Sequence, residues 1–346
     1  MPNFNRTSSM CRMVVAAGAM VALAAAPAAA QNVTLRYSQW IPVSHPTQGG
    51  GLHRYFAEVA AATQGRVKIE PTAQALGAPP RNMQLAVDGI SDVAWGLHSY
   101  TPGTYPLSEM AELPFLTRNT EANSVAFWRV YKAFFEKAGM HPAGVHTLTV
   151  HTHPAGQIYT YKKTIRTLDD FKGLRLRATN TVSTDAFKML GATPLPMPVT
   201  QLRDALSKGI ADGTSFLDEG VFGFRIEDFV TSTLRIDGGL FNATFFLVIN
   251  KAKWDAISKQ DQDAITALSG ETLSRRIGKL WDVEEAISAD KLKARGVTYI
   301  GADAAMMAKL REMLGPFEAK WIADAKAKGV DGAAALKMFR EEIARN

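Results

Sequence analysis

A chain of 346 residues carries 39 Lys and Arg against 33 Asp and Glu, a formal net charge of +6, with 47% hydrophobic residues and a single cysteine. That composition excludes a disordered or disulfide-stapled chain and leaves a globular protein long enough for two domains of ordinary size. The charge is modest and scattered without a basic block, which argues against a nucleic-acid-binding surface.

The first thirty residues read as an export signal. Arg6 and Arg12 make a positive start, Met13 to Leu23 is apolar but too short to span a bilayer, and Ala28-Ala29-Ala30 forms an A-x-A cleavage site before Gln31. This is the pattern of a Sec-type secretory signal peptide over 1–30, which predicts a periplasmic mature chain. Cys11 lies ahead of the apolar run, so it cannot anchor a lipoprotein, and the mature chain has neither thiol chemistry nor disulfides. Without Arg6 and Arg12 the 39 basic residues become 37 against 33 acidic ones, a net +4. No later segment has the length of a membrane span, so the mature chain is not expected to insert in a membrane.

VTLRYSQW opens the mature chain as a strand, followed by the turn IPVSHPTQGG and a helical pattern at Leu52, Phe56, Val59 and Ala60. VKIEP reads as a second strand, Pro80 to Gly89 as a helix and DVAWG as a third strand. Together they make β-α-β-α-β, the start of a doubly wound lobe. A loop rich in turn residues leads to a helix from about Glu121 to Ala138, and strands follow at Ala143 to Val150 and Gln157 to Tyr161.

The stretch TLDDFKGLRLRATNTVSTDAFKMLGATPLPMPVTQLRDALSKGIADG, Thr167 to Gly213, is the most informative part of the chain. Leu174, Leu176 and Ala178 alternate with Arg175 and Arg177 after the turn residue Gly173, as in a short strand. Ala186, Phe187 and Leu190 recur at helical spacing up to Gly191, and Thr193 to Met197 forms the next strand, completing a βαβ unit. In open α/β sheets the ligand crevice lies beyond the carboxyl ends of the strands, so Arg177 is placed to reach a cleft. On spacing alone, pairing of Arg177 with an acid such as Asp185 stands equally open. FFLVIN is an apolar run short enough for a buried strand. The tail is helical over Asp261 to Arg295, with Gly270 and Gly278 as weak points, and again over Ala302–Leu314, Phe317–Ala327 and Gly332–Ala344.

LDDFKGLRLRAT, then MLGATPLPMP and ALSKGIADG at this spacing, resemble the extracytoplasmic solute receptors of tripartite ATP-independent periplasmic (TRAP) transporters. RVKIEPTAQALG with DGISDVAWG resembles that family's first lobe, and FFLVINKAKWDAISKQDQDAI the strand and helix that return to it, so the resemblance spans essentially the mature chain. It implies an α/β, two-lobed periplasmic solute-binding protein of type II-like plan, with one long helix bracing both lobes. The lobes are expected at 31–154 plus 243–282 and at 155–242 plus 283–346. The function it implies is capture of a small organic anion for an ion-gradient-driven membrane permease, without catalysis or cofactor, by a monomer or a dimer paired through the tail helix.

By resemblance Arg177 holds the ligand carboxylate, and a planar guanidinium suits that task because it offers two parallel donors. Where many members carry a second arginine this chain has Tyr161, Lys162 and Lys163, so Lys163 is the second cation candidate. Where many place a polar residue after DG it has Thr214, Ser215 and Phe216. Some members that bind oxo acids have a glutamine and an aromatic at positions resembling Gln157 and Phe216, which makes these two further candidates. First-lobe contacts are expected from Trp40, His45 and the Leu97–Tyr100 turn, His98 included. Glu219 is placed to orient a ligand hydroxyl or help hold a cation, with a plain acidic helix start as the alternative. One arginine and Phe216 favour a monocarboxylate, oxo acid or aromatic acid, while the lysines keep dicarboxylates and sulfonates open.

Other classes find little support. His151 and His153 share one strand face and His141 and His146 lie nearby, but no HExxH, cysteine or third carboxylate completes a metal site. The chain lacks a G-x-S-x-G elbow, a P-loop and a GxGxxG fingerprint. A receptor of the ATP-driven class and a periplasmic enzyme acting on a small carboxylate remain as alternatives.

Overall fold

The computed structural model describes residues 32–346, so the expected signal segment lies outside the described residues. The first half runs β1 (Val33–Tyr37), α1 (Arg54–Ala62), β2 (Val67–Pro71), α2 (Asn82–Val87), β3 (Val93–Leu97), α3 (Thr120–Val130) and β4 (Val145–Thr152). β1 pairs in parallel with both β2 and β3, so the opening β-α-β-α-β forms as its periodicity predicts. The chain continues through β5 (Gln157–Thr160), β6 (Arg175–Ala178), α4 (Thr181–Met189), β7 (Thr193–Pro196), α5 (Leu202–Ser207), β8 (Gly213–Phe216), α6 (Asp218–Gly223) and β9 (Ser232–Arg235). It then returns as β10 (Thr244–Asn250), α7 (Lys251–Asp255), α8 (Lys259–Leu268), α9 (Gly270–Ala294), β11 (Thr298–Gly301), α10 (Ala304–Leu314), α11 (Pro316–Ala327) and α12 (Gly332–Arg345).

Two sheets result, with strand orders β2-β1-β3-β10-β4 and β11-β9-β5-β8-β6-β7. β10 inserts antiparallel between β3 and β4, which is why FFLVIN is apolar throughout: a central strand covered on both faces needs no polar alternation. The chain crosses between the sheets from β4 to β5, from β9 to β10 and, through α7 to α9, from β10 to β11, giving the expected two-lobed α/β plan. β8, β9 and β11 escape the sequence reading because GTSF, STLR and TYIG are short and lack a continuous apolar signal. The sequence reading sets 283–346 wholly with the second lobe. The structure differs in the tail, where Trp321, Leu336, Phe339 and Ile343 of α11 and α12 join a core with Phe127, Val130 and Val150 of the first.

The predicted helix over 261–295 is two helices. Gly270 takes φ +59° and lies against the Trp128 ring, a left-handed turn that ends α8 and starts α9. Gly278 leaves α9 unbroken but faces backbone, and a Cβ there would come within 2.7 Å of Glu121 Cα.

α9 ties both lobes through two carboxylates one turn apart. Asp282 accepts the Thr120 and Glu121 backbone N–H groups at 2.7 and 3.0 Å, at the start of α3. Glu285 accepts those of Asp218 and Glu219, both at 2.9 Å, at the start of α6. Each fork satisfies two N-terminal donors with no intrahelical partner.

Candidate functional site

β6 and β8 lie parallel, with Arg177 in register with Thr214, so Arg177 and the segment from Ser215 onward emerge side by side. The Arg177 guanidinium is 1% exposed. Its Nε donates to Met197 O at 3.1 Å and its Nη1 to Thr179 Oγ1 at 2.7 Å and Ser215 O at 3.3 Å, while Nη2 has no partner. The Phe216 ring lies 5.9 Å from Cζ, within cation-π range. No carboxylate pairs with Arg177 among the described residues, and Asp185 instead pairs with Lys188 at the surface. Burial pushes the guanidinium below its usual range, with the Tyr100 hydroxyl beside it acting in the opposite direction. An arginine stays charged all the same. An uncompensated buried cation is costly, so this arrangement calls for an anion from outside.

Arg177 opens into a cavity of about 50 Å³ lined among others by Trp40, Trp95, Phe216, Phe224, Phe245 and Trp281. That is several times the room one water needs, ~10–15 Å³. The walls are packed aromatics: Trp95 stacks on Trp40 and Phe245 at 5.3 and 4.9 Å between ring centroids, and Trp281 lies tilted against Phe245 at 5.1 Å. Trp40 Nε1 donates to Trp95 O at 2.9 Å, so Trp40 offers the cavity an apolar ring.

Three further lining side chains keep buried polar atoms without partners: His153 Nε2, Trp281 Nε1 and both Glu219 carboxyl oxygens. His153 Nδ1 sits 2.5 Å from Pro154 O and must carry the proton, which leaves Nε2 as an acceptor. Burial lowers this histidine to about 4. Burial, with the nearby Glu285 and Glu284 carboxyl groups, raises Glu219 to about 8. His45 Nε2 lies 3.5 Å from Glu219 Oε1, and burial lowers His45 to about 4, so at neutral pH this contact joins two uncharged groups.

Of the residues singled out from sequence, Arg177, Phe216, Trp40 and Glu219 converge on this cavity, together with His45, Leu97 and Tyr100. Gln157 does not. Its carboxamide donates to Ile236 O and accepts from Ile236 N, closing a buried bridge that uses both ends. His98 is likewise occupied, with Nδ1 at 3.1 Å from Thr244 Oγ1 and Nε2 at 2.9 Å from His141 Nε2. Lys163 lies on an exposed loop beside Lys162, Arg175 and Asp212, in a separate surface groove where its ammonium stays hydrated. His151 accepts from Trp95 Nε1 at 3.0 Å and His146 stacks on Trp254, which accounts for both rings in packing. Sequence reasoning passed over Trp95, His153, Phe224, Phe245 and Trp281. Only His153 carried a signal, and its spacing from His151 suggested metal chemistry instead.

A family model described as bacterial extracellular solute-binding protein, family 7, matches residues 38–324. A TRAP periplasmic solute-binding protein of Bordetella bronchiseptica, solved with bound (R)-mandelate and (S)-mandelate, superposes with TM-score 0.88 at 34% identity, covering 90% of this chain and 99% of that one. A marine metagenome TRAP solute-binding protein specific for aromatic acid ligands, solved with 3-hydroxybenzoate, gives TM-score 0.84 at 28% identity, over 91% and 99% of the two chains. In sequence, the outer membrane transporter protein TsaT of Comamonas testosteroni is 27% identical over 327 residues, 94% of this chain and 96% of that protein.

Proposed function

From the membership of this chain in family 7 of the bacterial extracellular solute-binding proteins, we propose that its cavity holds a small aromatic monocarboxylate with the acid group on Arg177. The chain is a TRAP solute receptor for small organic anions. Membership removes the ATP-driven alternative raised by the sequence. The observation that carries the finer reading is the free Nη2 of a fully buried guanidinium that has no acid partner among the described residues. A carboxylate there gains charge-assisted bonds and supplies the missing countercharge.

Arg177 is the one arginine or lysine among the lining residues, which favours a single acid group over two. The stacked indole and phenyl walls favour a flat apolar body, and the relatives solved with mandelate and 3-hydroxybenzoate support the same class. The proposal includes export of the chain by the 1–30 segment, release of the ligand unchanged, and delivery to a membrane permease. A bound ligand stabilises the folded state by mass action, so a thermal-shift screen of aromatic monocarboxylates, aliphatic dicarboxylates and sulfonates tests it. Aromatic monocarboxylates should give the largest shifts. A screen in which only dicarboxylates or uncharged solutes raise Tm overturns the reading.

A further inference from the structure

We propose that Glu219 and Trp281 form a second recognition point that selects a ligand bearing a hydroxyl at the end of the ring remote from its carboxylate. This rests on the aromatic-acid reading of the cavity. The guanidinium of Arg177 lies 5.9 Å from the Phe216 ring, Phe216 lies 6.0 Å from Phe224, and Phe224 lies 5.3 Å from His45, which touches Glu219. A ring anchored by its carboxylate on Arg177 therefore runs along Phe216 and Phe224 toward Glu219.

At that end the cavity offers a donor and an acceptor that face each other without closing a well-formed hydrogen bond. Trp281 Nε1 faces the Glu219 carboxyl and lowers its pKa, but their approach falls short of hydrogen-bond geometry, and among the described residues neither the indole N–H nor either carboxyl oxygen has another hydrogen-bond partner. Glu219 is 2% exposed, so water is not its ready partner, and unpaired buried groups of this kind are costly. The groups facing Glu219 are His45, Trp281, Glu284 and Glu285. The last two, with burial, keep it uncharged at neutral pH.

A hydroxyl is the small group that answers both needs, accepting from Trp281 Nε1 and donating to a Glu219 oxygen. An ammonium would satisfy Glu219 but leave the indole N–H without an acceptor. A second carboxylate would accept from Trp281 Nε1 but could not donate to Glu219, and it would bury a second negative charge with no cation to meet it.

The test is calorimetric titration of the purified protein with benzoate and its three monohydroxy isomers. In the unmodified protein the 3- or 4-hydroxy isomer should bind about tenfold more tightly than benzoate, the scale of two hydrogen bonds made by otherwise orphaned groups, and a preference for the 2-hydroxy isomer alone overturns this inference. Glu219→Met should remove that advantage, so that the favoured isomer and benzoate bind the variant equally. Trp281→Phe, which keeps an aromatic wall, should reduce the advantage from the donor side and serves if Glu219→Met fails to fold. Equal binding of benzoate and all three isomers to the unmodified protein overturns this inference and leaves the aromatic-acid reading standing. An equal loss of benzoate and hydroxybenzoate affinity in Glu219→Met assigns Glu219 to structure and likewise overturns it. Binding of none of the four acids overturns both.

Discussion

Replacing Arg177 by methionine should separate stability from binding, because the structure gives the guanidinium little to hold in place. Of its internal bonds, Thr179 Oγ1 keeps its contacts with Ser215, and Ser215 O still accepts from the Thr179 and Thr214 hydroxyls. Only Met197 O loses a donor, a cost on the order of 1 kcal/mol. Against it stands the relief of desolvating an unpaired charge, so the unliganded variant should melt within a few degrees of the unmodified protein. Binding should respond far more strongly. Removing one partner of a buried, hydrogen-bonded charge pair costs about 2–5 kcal/mol, or roughly 30-fold to 5,000-fold in Kd. Titration with the tightest ligand of the acid screen, beside a thermal melt without ligand, reads both quantities. Arg177→Lys should fall between the two, since an ammonium retains the charge but not the planar fork. Unchanged affinity in Arg177→Met, or a collapse of unliganded stability with no separate binding defect, would refute the assignment.

Stability should peak near pH 6.5. Burial lowers His45 and His153 to about 4, His141 and His151 to about 3, and His98 well below its usual value, so these five favour unfolding as pH falls below 6.5. Glu112, Glu219 and Glu285 are raised from 4.5 to about 8, so the folded state holds their protons more tightly and loses stability as pH rises through that window. Between 4.5 and 6.5 the histidines outnumber the glutamates. Above 6.5 only the glutamates act, with a slope of up to about 4 kcal/mol per pH unit, and a melting series flat from pH 6.5 to 8 would contradict it. Affinity for an anionic ligand should also fall above pH 8 as Glu219 ionises, and calorimetry across that range should show the fall disappear in Glu219→Gln. Glu285→Gln halves the acceptor fork at the start of α6, so amide hydrogen exchange over Asp218–Gly223 should accelerate and ligand affinity should weaken, whereas unchanged exchange would deny α9 this role. Gly278→Ala should destabilise by about 1–3 kcal/mol through the clash with Glu121, outweighing the ~1 kcal/mol helix-propensity gain, and a raised Tm would refute that contact.

Much of the fold is legible locally because periodicity and turn chemistry are properties of near neighbours. Leu174 to Ala178 show a strand, Ala186 to Leu190 a helix and FFLVIN a buried strand, each from the alternation or run of its own residues. Where the local signal is weak the reading misses, as at GTSF in β8, whose burial comes from β5 and β6 on either side. The break at Gly270 was legible as a glycine, but the Trp128 ring that makes it necessary belongs to a helix over a hundred residues earlier.

From sequence alone come the export pattern, the doubly wound opening, the resemblance to a receptor family and the choice of Arg177 as the anion's partner. Tertiary structure alone decides what surrounds it. It turns Gln157 inward to Ile236 and His98 to His141. It leaves Lys163 in solvent and brings His153 and Trp281 to the same cavity from the β4–β5 crossing and the long helix α9. The physical reason is that a polar side chain acts through whichever partner lies within about 3 Å. Residues 79 apart in the chain, as Gln157 and Ile236 are, meet only once the sheets have formed.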